Sequence, residues 1–435
     1  MLISFAVENF FSYRERQTLN LLAEERGELI ENTIPVDAPA LKGHHVLKFA
    51  AIYGANASGK SNLLLAFHRF SEIVSNSAKE STAGEKMSIT SFKLDDNWAK
   101  KPTYFSVTLL IDKIVYIYDV SLTEDRIFTE ELTAFPKTHP QRLFRRRVNP
   151  DGKSEWHFSR TNFRRDRALE DRTRPNSLYV SVGALFNHPQ LTKISEFFSH
   201  SKLHISLTRE RDFLQVISRC DNDLKFSRWA YELLSAADTG IAKVRVNTVN
   251  MPDQLFEREQ RSLPDKVATQ FHRTKEMQVA HVKLDGQPVW WPIGWESDGT
   301  RQLLNLLRSW YDMFDTGSLV LVDEIETSLH PLLCRKLLTW LSESKINKGQ
   351  LLFTTHGSTL LDPTILRRDQ IYFTEKSKDG ATQLYSLLEF TPRSDEALQK
   401  GYLSGRYGAI PFFGEFKFEA QTHKKADLQK IATPA

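Results

Sequence analysis

Residues 54–61 read Gly-Ala-Asn-Ala-Ser-Gly-Lys-Ser, which fits the spacing G-x-x-x-x-G-K-[ST] at every fixed position. Glycines let successive backbone N–H groups of such a loop converge on phosphate oxygens, and a helix that follows adds its positive end. Gly54, Ala55, Asn56, Ala57, Ser58 and Gly59 would form the cradle. Lys60 would reach the β- and γ-phosphates and Ser61 would give its hydroxyl to Mg²⁺. The chemistry is binding of a nucleoside triphosphate together with Mg²⁺.

Three later stretches carry complementary groups. In SLVLVDEIETSLHP, the apolar run Leu319–Val322 predicts a buried strand that delivers Asp323 to a metal ion and the next residue, Glu324, to water as a general base. In ESDGTRQLL, a helix predicted over Gln302–Tyr311 leaves Ser297, Gly299 and Thr300 at its N-terminus, where hydroxyl and amide donors suit an anion; an ordinary N-cap uses the same residues. In LLFTTHG, a buried strand ends at His356, whose neutral imidazole suits a γ-phosphate or an attacking water; a purely structural histidine fits the same place.

The elements that position these groups follow from pattern. VLKFAAIYG, β-branched and apolar, predicts the strand before the loop, and Leu63, Leu64, Phe67, Phe70 and Val74 recur at helical spacing after it. Residues 104–135 alternate apolar and polar with breaks near Asp112 and Asp125, an antiparallel meander. Between Lys137 and Arg174 twelve Arg or Lys face five acids, the most basic part of the chain. QLTKISEFFSH, DLKFSRWAYELLSAADTG and FEREQRSLPDKVATQFHR predict a compact helical insertion, and strand–helix–strand order resumes from PVWWPIGWE. The expected organisation is an N-terminal part over 1–185, a helical insertion over 186–285, a C-terminal part over 286–390 and a tail over 391–435.

Bulk properties narrow the class. No apolar run approaches the ~18 residues of a membrane span, so no membrane partner is expected. The two cysteines, Cys220 and Cys334, lack metal-ligand spacing and suit a reducing, cytoplasmic setting. A net charge of +4 over 435 residues does not by itself call for nucleic acid.

Taken in order, phosphate loop, long insertion, ESDGT, LVDE directly followed by TSLHP, and strand plus histidine resemble the ABC-type ATPase heads of the RecF, OLD and structural-maintenance-of-chromosomes group. The resemblance covers about residues 1–75 and 285–375, with NFFSYRERQTLNL similar to the group's opening hairpin. It implies an α/β fold: an ABC-type P-loop NTPase head, with a mixed β lobe plus a wound α/β core. It also implies Walker A at Gly54–Ser61, the signature at Ser297–Thr300, Walker B at Asp323, the catalytic carboxylate at Glu324, the D-loop at Ser328–Pro331 and the switch histidine at His356. Where such heads carry a Q-loop glutamine this chain has Leu185, a departure from the group's metal-sensing loop that Asn187 or Gln190 would have to fill.

TRPNSLYVSVGALFN, LLSAADTGI, LRRDQIYFTEK and GYLSGRYGAIPFFGEF look closest to compact phage-defence ATPases of the RloA and AriA type. That likeness implies two copies closing over two ATP molecules, each supplying the half-site its twin lacks, and an antiviral switch that hydrolyses ATP. OLD-type relatives carry a Toprim nuclease that needs a DxD cluster. Glu375 and Asp379 do not form one, so the expected effector is a separate protein, with a Toprim-type nuclease as the candidate that the likeness implies. Residues 137–174 would meet DNA or an acidic DNA mimic, with Arg145, Arg146, Arg147, Arg164 and Arg165 as the contacts to reverse; a solvated face or an ion-pair patch is the other reading. Arg406 and Tyr407 in the tail suit either an oligomer contact or a packed loop. A RecF-like DNA-repair clamp is the alternative function.

Overall fold

Phe49–Gly54 has no exposed residue, because this strand runs through the middle of a parallel sheet with a separate core on each face. Ala50 and Ile52 pack into one core, Phe49, Ala51 and Tyr53 into the other. The computed structural model describes residues 1–24, 28–80, 82, 84–204, 210–250, 273–344, 348–393 and 396–411.

In chain order the strands are β1 (Leu2–Glu8), β2 (Gln17–Asn20), β3 (Thr33–Pro35), β4 (His45–Leu47), β5 (Phe49–Gly54), β6 (Thr103–Ile111), β7 (Ile114–Leu122), β8 (Ile127–Phe135), β9 (Gln141–Val148) and β10 (Ser154–Phe158). They continue as β11 (Lys202–His204), β12 (Lys243–Asn250), β13 (Arg273–Val282), β14 (Pro288–Pro292), β15 (Leu319–Val322), β16 (Gln350–Thr355), β17 (Ile371–Lys376) and β18 (Thr382–Ser386). A seven-stranded antiparallel sheet runs β10-β9-β8-β7-β6-β1-β2. A six-stranded sheet runs β11-β15-β16-β5-β17-β18, parallel except for β18.

The expected meander is the centre of the first sheet. Asp112 and Lys113, at φ 49° and 67°, form a two-residue turn that sets Ile111 opposite Ile114. The helix Lys60–Asn76 fills the space between the sheets, burying Leu63, Leu64, Phe67, Phe70 and Val74 as their spacing predicts. Each fully buried phenylalanine contributes about 1.5–3 kcal/mol. On the opposite face of the six-stranded sheet lie the helices Asp298–Thr316 and Pro331–Glu343, whose leucines join Val320, Val322, Leu351 and Phe353. The fold is therefore the expected α/β head: an antiparallel β lobe on a wound, mostly parallel core.

The insertion differs from its sequence reading. Helices Glu210–Asn222 and Leu224–Ala236 are present, but β12, β13 and β14 form an antiparallel three-stranded sheet beside them. Lys243–Asn250 reads KVRVNTVN, a period-two, β-branched pattern that favours a strand over a helix. The helix expected over Phe256–Arg273 lies outside the described residues except for Arg273, which opens β13. Lys202–His204, also inside the expected insertion, pairs in parallel with β15 and extends the central sheet.

Candidate functional site

The chemistry-bearing residues gather at the C-terminal ends of β5, β15 and β16, three adjacent parallel strands, which is where wound sheets hold ligands. β5 ends in Gly54. Thr374 of β17 lies beside it in register, and a Cβ on Gly54 would stand 2.5 Å from the Thr374 carbonyl oxygen. Gly59 takes φ 109°, and a Cβ there would come within 2.2 Å of Thr382 Oγ1. Both glycines are demanded by close packing around the loop. As the N-cap of Lys60–Asn76, Gly59 offers the first turn no side-chain acceptor, so those N–H donors suit an anion.

Lys60 is buried and folds over the loop, its Nζ donating to Gly54 O at 2.9 Å and Ala55 O at 3.0 Å. Burial lowers its ammonium to about 8, opposed by the carboxylates of Asp323, Glu324 and Glu326. Ser61 Oγ donates to Asp323 Oδ1 at 3.0 Å. The two residues assigned to a magnesium ion by the resemblance are thus in contact.

β15 lies against β16 with Val322 opposite Phe353, which sets Asp323 beside Thr354. Thr354 is fully buried; its Oγ1 donates to Asp323 Oδ1 at 2.6 Å and accepts the Glu324 N–H at 2.7 Å. Glu324 sits at φ 52°, a left-handed backbone uncommon for such a residue. Ala57 and Ser328 are left-handed too, at φ 61° each. Such conformations cost about 1–3 kcal/mol and cluster at functional sites.

His356 follows β16, the strand between β15 and β5, and so stands between the acids and the loop. Its Nε2 is 3.6 Å from Glu324 Oε1 and its Nδ1 3.5 Å from Lys60 Nζ. Lys60, Ser61, Asp323, Glu324 and His356 therefore form one cluster.

The segment Ser297–Thr300 is arranged otherwise. Ser297 caps its own helix, accepting the Thr300 N–H at 3.2 Å, and the two hydroxyls lie 3.0 Å apart. Gly299 abuts the Ser328–Pro331 turn: a Cβ there would stand 2.5 Å from Ser328 O. In its own chain this helix start touches the turn after the acidic strand, the Ser297 hydroxyl serves as the cap, and the Thr300 hydroxyl lies against it.

Other expected residues are placed plainly. Leu185 ends the helix Tyr179–Leu185 and is partly exposed; Asn187 is left-handed, and Gln190 Nε2 donates to Asn162 O at 3.0 Å. Within 137–174, Arg147 and Arg164 are exposed, Arg145 pairs with Glu131 at 2.9 Å, and Arg165 pairs with Glu170 at 2.7 Å. Arg146 is not a surface contact. It is 1% exposed, donates to Ser177 O and Arg174 O, and faces Glu130, whose carboxyl is pushed upward by burial. Tyr407 is likewise buried, stacked on Phe373, while Arg406 pairs with Glu396 at 2.7 Å. Glu375 accepts from Tyr385, and Asp379 pairs with Arg14.

Several residues of the site escape sequence reasoning. Thr354 and Glu326 act through hydrogen bonds to residues about thirty positions away. Under the loop, Tyr13 OH donates to Gly59 O at 3.0 Å, Thr382 Oγ1 donates to Ser58 O at 2.8 Å, and Thr374 and Ser58 share a 2.7 Å hydroxyl bond. The one local signal was the run of hydroxyl residues at strand ends.

Among solved structures, the chain is similar to the SMC head domain from Thermotoga maritima, at 11% identity over 88% of this chain and 98% of that one, with a TM-score of 0.39. It is similar to an SmcHead bound to the C-winged helix domain of ScpA, at 16% identity over 90% and 99%, TM-score 0.39. A third is the Smc head domain with an extended coiled coil bound to the C-terminal domain of ScpA, derived from Pyrococcus furiosus, at 14% identity over 90% and 97%, TM-score 0.38. No curated protein matches the chain. Among the described residues no helix is long and apolar enough to cross a membrane. A family model described as "AAA domain, putative AbiEii toxin, Type IV TA system" matches residues 49–362, from the strand that ends in the loop to beyond the histidine, and the chain belongs to that family.

Proposed function

We propose that this chain binds and hydrolyses ATP with Mg²⁺ and works as a switch, two copies closing over shared nucleotide to control a separate effector in defence against phage. The observation that carries the ATPase reading is the 3.0 Å contact between Ser61 and Asp323, which brings a phosphate loop and an acidic strand end into one corner that suits a cation. The residues present fit the ligand pair: uncapped first-turn amides and Lys60 for phosphates, Ser61 and Asp323 for the cation. Mg²⁺ held there would offset charge on the phosphates. Glu324 is the general base for water, and His356, 3.6 Å from it, stands where a γ-phosphate would be sensed.

The two-copy arrangement rests on Ser297–Thr300, a second helix start that meets Ser328 rather than its own loop. The defence role and a Toprim-type nuclease as effector rest on the RloA and AriA likeness, and the toxin–antitoxin wording of the family description supports the defence role. Of the five arginines named within residues 137–174, the exposed Arg147 and Arg164, without a carboxylate partner among the described residues, are the ones that would meet DNA or an acidic mimic.

Phosphate release from ATP, with and without EDTA, tests the enzyme; a Lys60→Ala chain that retains parental ATP affinity would sink the reading. Light scattering of Glu324→Gln with ATP tests dimer closure. Protection of cells against phage by the parent chain, together with its neighbouring gene, should vanish with Lys60→Ala; protection that persists removes the switch from the defence role.

A further inference from the structure

Glu326, the third acid of the Asp323–Glu326 run, points back to the end of the neighbouring strand. Its Oε1 accepts the backbone N–H groups of both His356 and Gly357, the second at 3.0 Å. Nothing in the chemistry of nucleotide binding requires this. Its other oxygen, Oε2, is buried without a partner among the described residues, an arrangement that costs stability and that an apolar residue would avoid.

We propose that Glu326 is a positioning residue that fixes His356 between Lys60 and Glu324. The ring contacts of His356, 3.5 Å to Lys60 and 3.6 Å to Glu324, are long for hydrogen bonds, so the ring takes its place from the backbone beneath it. That backbone is held by one carboxyl oxygen of Glu326, with Thr355 Oγ1 sharing the Gly357 N–H at 2.9 Å.

The clamp is anchored in the turn that meets the Ser297–Thr300 helix. Thr327 N–H donates to Glu324 O at 2.9 Å and Leu329 N–H to Glu326 O at 3.0 Å, while Ser328 O lies against Gly299. Ser328 is thereby linked to His356 through Glu326 by a route that bypasses the phosphate loop. The histidine is thus set by the same turn that meets the Ser297–Thr300 helix start. This inference rests on the ATPase reading above.

The test is a set of five chains: parent, Glu326→Gln, Glu326→Ala, His356→Ala and the Glu326→Ala/His356→Ala double variant. Each is measured for kcat and KM with ATP and Mg²⁺, and for amide hydrogen exchange across residues 350–360. Glu326→Ala should lower kcat about tenfold to a hundredfold by misplacing the histidine, with KM within about twofold. Glu326→Gln should recover most of the rate, since its amide oxygen still accepts both N–H groups. In the His356→Ala background Glu326→Ala should cost less than about twofold more, because the two act as one unit. Exchange at His356 and Gly357 should quicken in Glu326→Ala and return to parental rates in Glu326→Gln.

Equal losses in both backgrounds, or a glutamine variant as poor as the alanine one, would overturn the positioning role. So would faster exchange with unchanged kcat. A parent chain without ATP turnover would overturn the ATPase reading and, with it, the catalytic purpose of the clamp, whereas turnover that Glu326→Ala leaves intact overturns the clamp alone. Should Glu326→Ala fail to fold, Glu326→Asp, one methylene short of both N–H groups, replaces it with the same expected outcomes.

Discussion

Ser61 Oγ donates to Asp323 Oδ1 at 3.0 Å, joining residues 262 positions apart in the chain. A cation shared by both should make their effects dependent on each other. Ser61→Ala and Asp323→Asn should each weaken Mg²⁺-dependent ATP binding, and the double variant should fall short of the sum by about 1 kcal/mol. Calorimetric titration in Mg²⁺ and again in EDTA checks it. Strict additivity would mean that no ion is shared.

Glu324 is held at φ 52° beside His356, with its amide fixed by Thr354. Replacing the carboxylate by an amide keeps the shape and removes the base. Glu324→Gln should lower ATP turnover about 10²- to 10⁴-fold while ATP binding is kept. Phosphate release read against parent decides it, and indistinguishable turnover would exclude Glu324 as the base.

Gly299 has no room for a side chain, since its Cβ would stand 2.5 Å from Ser328 O. Gly299→Ala should push the helix start off the turn and abolish ATP-dependent dimerisation, while ATP affinity of the single chain stays within about threefold, as expected for separated sites. Light scattering and titration report the two quantities separately. Dimers that form as before would show that this helix start does not close over the partner. The companion Ser297→Ala removes the cap of the Thr300 N–H and should cost about 1 kcal/mol in unfolding.

Arg146 and Arg147 are neighbours with opposite duties. Arg146→Ala leaves Glu130 buried without its cation and should destabilise the chain by about 3–5 kcal/mol in denaturant unfolding. Exposed Arg147→Glu should change stability by less than about 0.5 kcal/mol. If residues 137–174 meet DNA, the Arg147→Glu/Arg164→Glu chain should bind it more weakly and with a salt slope shallower by one or two. Unchanged DNA affinity at low salt would assign the segment to another surface.

The phosphate loop could be read from eight letters because the backbone that makes it is contiguous. Asp323, Glu324 and His356 were legible for a similar reason, each closing a short apolar strand. Their mutual distances were not, since these depend on the strand order β15-β16-β5, which places the last of the three strands between the other two. Thr354 and Glu326 stayed hidden because each acts on a backbone amide across a strand boundary. Arg146 was misread as surface within a basic run, yet a strand turns successive side chains to opposite faces, and that period separates it from Arg145 and Arg147. The strands of the insertion stand out poorly in the sequence because helical periodicity on the N-terminal side masks the β-branched alternation of Lys243–Asn250.

The hairpin β17–β18 underlies the loop: Thr374 and Thr382 hold Ser58, and Tyr385 OH donates to Tyr407 O at 2.9 Å. A fraction of an ångström of travel in the loop must either stretch those hydroxyl links or carry the hairpin and its aromatic stack along. Linkage would then work in both directions: a protein gripping the chain near Tyr407 would alter nucleotide loading by the same factor with which loading altered the grip. Tyr407, stacked on Phe373 one residue from Thr374, would thus be a gauge of what the cradle holds.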